Sequence, residues 1–295
     1  MKARCCLASV AALALPLLLS GCMWTTRKLP IPKAPSVVQT VSADELVNRL
    51  NKRWDALDSL YAKVEIQASV LKTKEGTAKD YTTIGGIIMI RKPELLRVYG
   101  RAPVIGTRIF DLTSDGADFT LFVPSGSKAV KGSNSLRKKS ANPLENMRPG
   151  FFLDAMIVRG LEPRDEYMVT ADTIMVEDAA RKRLYSVPEY KLSIMRSKAD
   201  SHELEPKRVV YFHRDDLLPY QQDIYDSEGN LETEVKYAQY ADFGGALYPS
   251  SVTIKRPLEE YQIVLTVDTV KENMTLKDDQ FQITLPEGTQ IQKLE

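Results

Sequence analysis

The chain has 295 residues, 40 basic and 39 acidic side chains, and 43% apolar residues. A formal charge of +1 gives no molecule-wide basic field of the kind nucleic-acid binders use, and this composition belongs to a folded protein rather than a disordered one. All the cysteines, Cys5, Cys6 and Cys22, precede the folded body, so a disulfide, a zinc ribbon or a thiol nucleophile within that body is excluded. With only His202 and His213 as imidazoles and no Asp-x-Asp-x-Asp-Gly loop, neither a metal nor a cofactor is expected.

The amino terminus reads as an export signal, with Lys2 and Arg4 ahead of a short apolar run from Leu7 to Leu19. That run is too short for a comfortable membrane span. Leu19-Ser20-Gly21-Cys22 resembles the bacterial lipobox, which implies cleavage after residue 21 and lipidation (a palmitate-type acyl anchor) of Cys22. The alternative is a signal peptide cleaved without acylation. Met23, where an aspartate commonly signals inner-membrane retention, implies anchoring to the periplasmic face of the outer membrane. Residues 22–41 carry Pro30, Pro32 and Pro35 among Arg27, Lys28 and Lys33 and read as a tether. At ~3.1 Å per residue for extended proline-rich chain, it reaches up to roughly 50 Å from the bilayer.

The body, residues 42–295, opens on a helix: Ser42 and Glu45 have capping-box spacing, followed by a stripe of Leu46, Leu50, Trp54, Leu57 and Tyr61. From Ala62 the period drops to two, with Ala62, Val64, Ile66, Ala68 and Val70 alternating with polar residues, which predicts a half-buried strand. Further strands are predicted at Tyr81–Arg91, Leu95–Tyr99, Thr107–Leu112, Phe119–Val123 and Lys128–Lys131. After a basic stretch from Gly132 to Asn146, a second and strongly apolar helix is predicted from Pro149 to Gly160. Strands resume at Tyr167–Met175, Tyr190–Met195, Arg208–His213, Gln221–Tyr225, Glu232–Tyr240, Ser251–Lys255 and Tyr261–Val270, with a hairpin signal at Asp226-Ser227-Glu228-Gly229-Asn230. Short connections imply an antiparallel meander. The fold class expected is β-rich α+β, a single domain built on one large curved antiparallel sheet.

Several pieces of this body resemble the LolA/LolB lipoprotein-carrier superfamily. They are Trp54 with Leu57-Asp58-Ser59-Leu60-Tyr61-Ala62, the run Gly86-Ile87-Ile88-Met89-Ile90-Arg91-Lys92-Pro93-Glu94-Leu95-Leu96-Arg97, Asp226-Ser227-Glu228-Gly229, Tyr248-Pro249, and the ending Asp279-Gln280-Phe281 through Pro286-Glu287-Gly288. The resemblance implies an incomplete barrel wrapped around helices, with an apolar cavity that takes the acyl chains of lipoproteins or another amphiphile. Each methylene moved from water into such a cleft contributes ~0.8 kcal/mol, so ten carbons gain roughly 8 kcal/mol before ordering costs. The candidates for lining are Val64, Ile66, Ile88, Ile90, Leu96, Val98, Phe110, Leu112, Leu121 and Val123, with Phe152 and Met156 from the helix. Pattern alone does not separate a cavity wall from a filled core.

The loop Arg101-Ala102-Pro103-Val104-Ile105-Gly106-Thr107 resembles the projecting apolar loop of LolB-like proteins. Val104 and Ile105 would form a tip that meets the membrane or cargo; in the alternative reading Val104 continues a strand and points inward. Lys128, Lys131, Arg137, Lys138, Lys139 and Arg148 form a basic segment that anionic head groups would attract, or simply a solvated loop. Catalytic motifs are weak: Ser125-Gly126-Ser127-Lys128 reads as a turn, His213-Arg214-Asp215-Asp216 as a charged turn, and no nucleophile elbow or phosphate loop occurs. The expectation is a non-enzymatic, lipid-anchored carrier or acceptor of acyl chains at the outer membrane. The alternative is an envelope scaffold or sensor that binds a polypeptide partner without lipid transfer.

Overall fold

The computed structural model describes residues 38–72, 75–134, 149–178, 183–198 and 201–294. The leader, Cys22, most of the tether and Arg137, Lys138, Lys139 and Arg148 lie outside the described residues. Two compact units are distinguished: the larger spans Ser36–Thr173 and Pro188–Glu295, and the smaller contains Ile174–Val187. The larger is described below.

Helix α1 (Ala43–Asp55) starts where the capping spacing placed it, with Ser42 Oγ accepting the Glu45 amide at 3.2 Å. Its first turn carries Asp44 and Glu45 and its last Lys52 and Arg53, matching the helix dipole at both ends. The expected stripe breaks after Trp54, because the helix stops at Asp55. Leu57 then lies in a turn and Tyr61 on the first strand.

Seven strands follow: β1 (Ser59–Lys72), β2 (Thr77–Asp80), β3 (Ile84–Arg91), β4 (Leu95–Arg101), β5 (Arg108–Ser114), β6 (Asp118–Val123) and β7 (Lys128–Ser133). Helix α2 (Gly150–Met156) leads to β8 (Asp165–Asp178), β9 (Arg183–Ser197), β10 (Leu204–His213), β11 (Pro219–Tyr225) and β12 (Leu231–Tyr237). The small pair β13 (Tyr240–Asp242) and β14 (Leu247–Pro249) precedes β15 (Ser251–Arg256), β16 (Tyr261–Glu272) and β17 (Gln290–Lys293).

One 15-stranded sheet holds all but β13 and β14, in the order β17-β7-β6-β5-β4-β3-β1-β16-β15-β12-β11-β10-β9-β8, with β2 paired to β1. The chain therefore runs outward from β1 to β7, crosses by way of α2 to the far edge at β8, and returns inward until β16 lies beside β1. That crossing and the parallel β17–β7 pair depart from a simple meander. The edge strands do not pair with each other, so the sheet stays open and is not a closed barrel.

Alternation along β1, β3, β4, β12, β15 and β16 puts Leu60, Ile88, Ile90, Val98, Val235, Val252, Ile254 and Leu265 on one inner face, where they pack with α2. A second apolar cluster joins Leu46, Val47 and Leu50 of α1 to Leu192, Ile194, Val210 and Phe212. On the outer face, Leu276 and Phe281 cover Met89. Arg91 and Arg97 pin that covering segment by donating to the carbonyls of Leu276 at 2.7 Å and Gln280 at 2.8 Å.

Candidate functional site

Helix α2 occupies the inner face and is shorter than the expected span from Pro149 to Gly160. It ends at Met156, with Ile157 extended, not at Gly160. A helix end leaves its last carbonyls without intrahelical donors, and a buried carbonyl left unpaired is costly. Here the sheet supplies the donors. Gln222 Nε2 donates to Asp154 O, Tyr237 Oη to Ala155 O at 3.0 Å, and Tyr248 Oη to Met156 O. Gln222 also donates to Tyr237 Oη at 2.7 Å. Burial pushes the phenols of Tyr237 and Tyr248 well above their ordinary range, so they stay protonated as donors. At the other end of α2, the Phe151 and Phe152 rings stack 4.3 Å apart, and the Arg256 guanidinium lies 5.6 Å from the Phe151 ring. Arg256 is itself buried, paired to Glu259 at 3.0 Å and Glu232 at 3.2 Å and donating to Thr233 Oγ1 at 2.8 Å.

The twelve residues expected to line a cavity all gather at this inner face. Val64, Ile66, Ile88, Ile90, Leu96, Val98, Leu112, Leu121, Phe152 and Met156 are buried in the cluster that includes α2, and Phe110 and Val123 are half-buried against it. They pack closely. A Cβ at Gly86 would stand 2.4 Å from Ile66 Cδ1, and one at Gly100 2.6 Å from Ile84 Cδ1, so a side chain at either position would have to displace its isoleucine neighbour. A cleft of about 200 Å³ opens beside the end of α2, between Met156, Ile157, Tyr240, Tyr248, Arg53 and Glu272. Ligand pockets usually measure roughly 300–1,000 Å³, so this cleft admits only part of an acyl chain while α2 is in place. Of the twelve, Met156 alone borders it.

The loop between β4 and β5 is open to solvent. Val104 is fully exposed (105%) and Ile105 is 75% exposed, which removes the alternative of an inward-pointing Val104. The tight turn is closed by Ile105 N donating to Pro103 O at 2.8 Å and Gly106 N to Ala102 O at 3.0 Å. Val104 has φ +69° and Gly106 φ +68°. A β-branched residue in the left-handed region is held there against a steric cost.

Below this tip, alternation places Arg97, Tyr99 and Arg101 on the outer face of β4, opposite Thr113, Asp111 and Arg108 of β5 in turn. Asp111 is fully buried and grips Arg97 through two bonds of 2.9 and 2.7 Å; Arg108 joins the same carboxylate. Bonding to Asp111 raises the Arg97 pKa above its ordinary value. The guanidinium carbons of Arg97, Arg101 and Arg108 all lie 5.0–5.6 Å from the Tyr99 ring. Arg101 makes no ion pair among the described residues, and the open face of Gly85 lies opposite it. Three cations against one carboxylate form a basic collar beneath an apolar tip. The sequence signal was the spacing 97, 99, 101, which passed unread as part of a strand.

The remaining candidates resolve as turns. Pro124–Gly126 is a single 3-10 turn followed by Ser127 at φ +43°. At the β10–β11 turn, Arg214 reaches back to Gln39 O at 3.1 Å and Thr40 Oγ1 at 2.9 Å, and His213 stacks on Tyr220. Among the described residues there is no group of three or more metal-ligating side chains, and no helix is long and apolar enough to cross a membrane.

The class defined by these features is an open antiparallel sheet closed over a short apolar helix, with a projecting apolar hairpin. No protein-family profile matches the chain and no curated protein matches it. Among solved structures it is similar to a LolA superfamily protein from Nitrosomonas europaea, at 16% identity and TM-score 0.49 over 83% of this chain and 99% of that one. It is also similar to a DUF1329 family protein from Desulfovibrio piger, at 16% identity and TM-score 0.49 over 81% and 95% of the two chains. A third is an outer membrane lipoprotein-sorting protein domain from Vibrio parahaemolyticus, at 11% identity and TM-score 0.48 over 80% and 94%. At identities this low the likeness concerns the path of the chain and says nothing about ligands.

Proposed function

We propose that this protein handles acyl-bearing molecules at a lipid surface of the bacterial envelope, as a lipid-anchored carrier or acceptor. The observation that carries the reading is the β4–β5 tip, where Val104 and Ile105 are presented to solvent on a strained turn above the Arg97, Arg101 and Arg108 collar. Apolar residues inserted below the head groups and cations level with the phosphates are the two parts of an interfacial contact. Acyl chains then take the inner face in place of α2, whose released apolar side chains would move toward the bilayer. Lipidation of Cys22 would keep the body within reach of the membrane. The test is flotation of the unlipidated protein with vesicles of mixed phosphatidylethanolamine and phosphatidylglycerol. Replacing Val104 and Ile105 by aspartate should leave the fold intact and abolish flotation; unchanged flotation removes the proposal.

A second reading has its own observation. The inner face is filled by α2 and its three carbonyl bonds, as expected of a scaffold that binds a polypeptide partner and carries no lipid. Native mass spectrometry of protein extracted from membranes separates the two: a co-purifying lipid or lipopeptide supports carriage, and an empty protein bound to a defined partner supports the scaffold.

A further inference from the structure

The inner face of β9, β10 and β11 is apolar apart from Gln222, Arg196 and Arg208, which border one cleft. Strand β10 carries a bulge at Lys207, so Pro206 pairs with Met195 while Arg208 pairs with Ile194. From Arg208 onward the alternation is regular, so Arg208 lies on the same side as Val210 and Phe212 and opposite Ile194, all three of them buried, while the extra residue breaks the alternation at Lys207. A cleft of about 230 Å³ opens there, bordered by both Lys207 and Arg208.

The charges around this cleft do not cancel. Four cations, Arg159, Arg196, Lys207 and Arg208, face three carboxylates, Asp154, Glu162 and Asp165. Every carboxylate is already engaged: Asp154 by Arg159, and Glu162 and Asp165 by Arg196 at 2.6 and 2.7 Å. Among the described residues Lys207 has only Glu205, at 3.9 Å, too far for a hydrogen bond. Arg208 donates one Nη2 bond to Gly160 O at 2.6 Å and makes no ion pair among the described residues. Its Nε is shut off from solvent with no acceptor. Desolvation pulls its pKa below the ordinary value, against the opposing fields of Asp154 and Asp165. A half-buried guanidinium whose Nε has no acceptor and which has no carboxylate partner among the described residues carries a desolvation cost that an anionic ligand would offset.

We propose that this cleft is a binding site for an organic oxyanion, a carboxylate or a phosphate ester, seated between Arg208 and Lys207. A guanidinium fork matches the two oxygens of either group, and a lysine adds a point charge at the rim. Ile194, Ile224 and the Tyr225 ring supply an apolar wall on the same cleft, so the anion carries an apolar body. The site lies on the β9–β11 part of the inner face and does not depend on membrane engagement by the β4–β5 tip.

Calorimetric titration with octyl phosphate, octanoate, inorganic phosphate and octanol at fixed ionic strength tests the assignment. Saturable one-to-one binding of octyl phosphate or octanoate is expected, and whichever binds tighter identifies the head group. Inorganic phosphate should bind more weakly, and octanol not at all. Arg208→Met should weaken the anion by about tenfold or more, the effect of losing a charged hydrogen bond, with Arg208→Lys intermediate. Without ligand, the melting temperature of Arg208→Met should stay level or rise, whereas a purely structural arginine would lower it. Should Arg208→Met fail to fold, Lys207→Met on the bulge reports the same loss at reduced size. Octanol binding as tightly as octanoate, equal affinity of the wild type and the variants, or no saturable anion binding would each overturn the site. Inorganic phosphate binding as tightly as octyl phosphate would overturn the apolar body.

Discussion

Val104→Gly separates the requirements of the fold from those of the membrane, because the two change in opposite directions. The side chain touches nothing it could lose, being fully exposed, so its removal forfeits no packing. At φ +69° a valine pays a steric cost of ~1–2 kcal/mol that glycine does not. Glycine returns part of that gain through its freer unfolded chain, about 0.5–1 kcal/mol. The net expectation is stability unchanged or raised by about 1 kcal/mol. At a bilayer the same change removes an apolar side chain worth ~1.5 kcal/mol when fully buried, which is about tenfold in partition. Guanidinium denaturation reads the first quantity and vesicle flotation the second. A lowered midpoint would show that Val104 has a packing role, and unchanged partition would show that the tip does not enter lipid; either result refutes the argument.

Four further outcomes are expected. Arg101→Gln should cost the fold nothing measurable and reduce binding to anionic vesicles by ~1 kcal/mol, with no effect on zwitterionic ones, because Arg101 has no carboxylate partner among the described residues; flotation on the two compositions checks it. Arg256→Ala strands Glu259 and Glu232 beside the core and should destabilise by roughly 3–5 kcal/mol in denaturant titration. Tyr237→Phe with Tyr248→Phe leaves two buried carbonyls of α2 unpaired at ~1–3 kcal/mol each, so hydrogen exchange in α2 should quicken and lipid occupancy in native mass spectra should rise. Desolvation holds the Asp216 carboxyl above its usual value. The folded state therefore takes up protons more readily than the unfolded one there, a stabilisation present in acid and lost as pH rises through the folded pKa. Because Asp216 is still exposed, Asp216→Asn should raise the melting temperature at neutral pH only slightly and lose that advantage toward the usual carboxylate range, as a pH series of thermal scans will read.

Strands whose one face is buried were legible from alternation: Ala62, Val64 and Ile66 point inward as their period requires. The elements that escaped carry no such contrast. Strand β17 is exposed at all four positions, and β2 likewise, so neither has an apolar period to read. The end of α2 was misplaced because Ile157 and Val158 prolong an apolar run that satisfies helix and strand equally. What stops the helix is the set of phenols and an amide from distant strands, Tyr237, Tyr248 and Gln222, which no local pattern contains. Arg208 shares its face with Val210 and Phe212 by ordinary alternation; what no local pattern contains is the bulge at Lys207, which pairing partners set and which leaves that lysine beside the same cleft. Composition identified the apolar inner face without showing what fills it.

What fills it bears on how a carrier of this construction would work. Burial of Phe151, Phe152, Leu153 and Met156 contributes about 6–12 kcal/mol at ~1.5–3 kcal/mol per large apolar side chain. An acyl chain seated over ten carbons contributes roughly 8 kcal/mol by the same measure. On the proposed carriage, helix α2 and an acyl chain would therefore be near-equal competitors for one surface, and neither would exclude the other on apolar area alone. The three bonds to the carbonyls at its end, each worth ~1 kcal/mol net, hold the helix in place when no lipid is present. An occupant so finely balanced is exchanged by small differences in its surroundings. At a bilayer the released Phe151 and Phe152 would find apolar cover, whereas in water they would not. The same sheet would then stay closed while the body is in solution and open where the Val104 tip touches lipid, with no energy source beyond the redistribution of apolar surface.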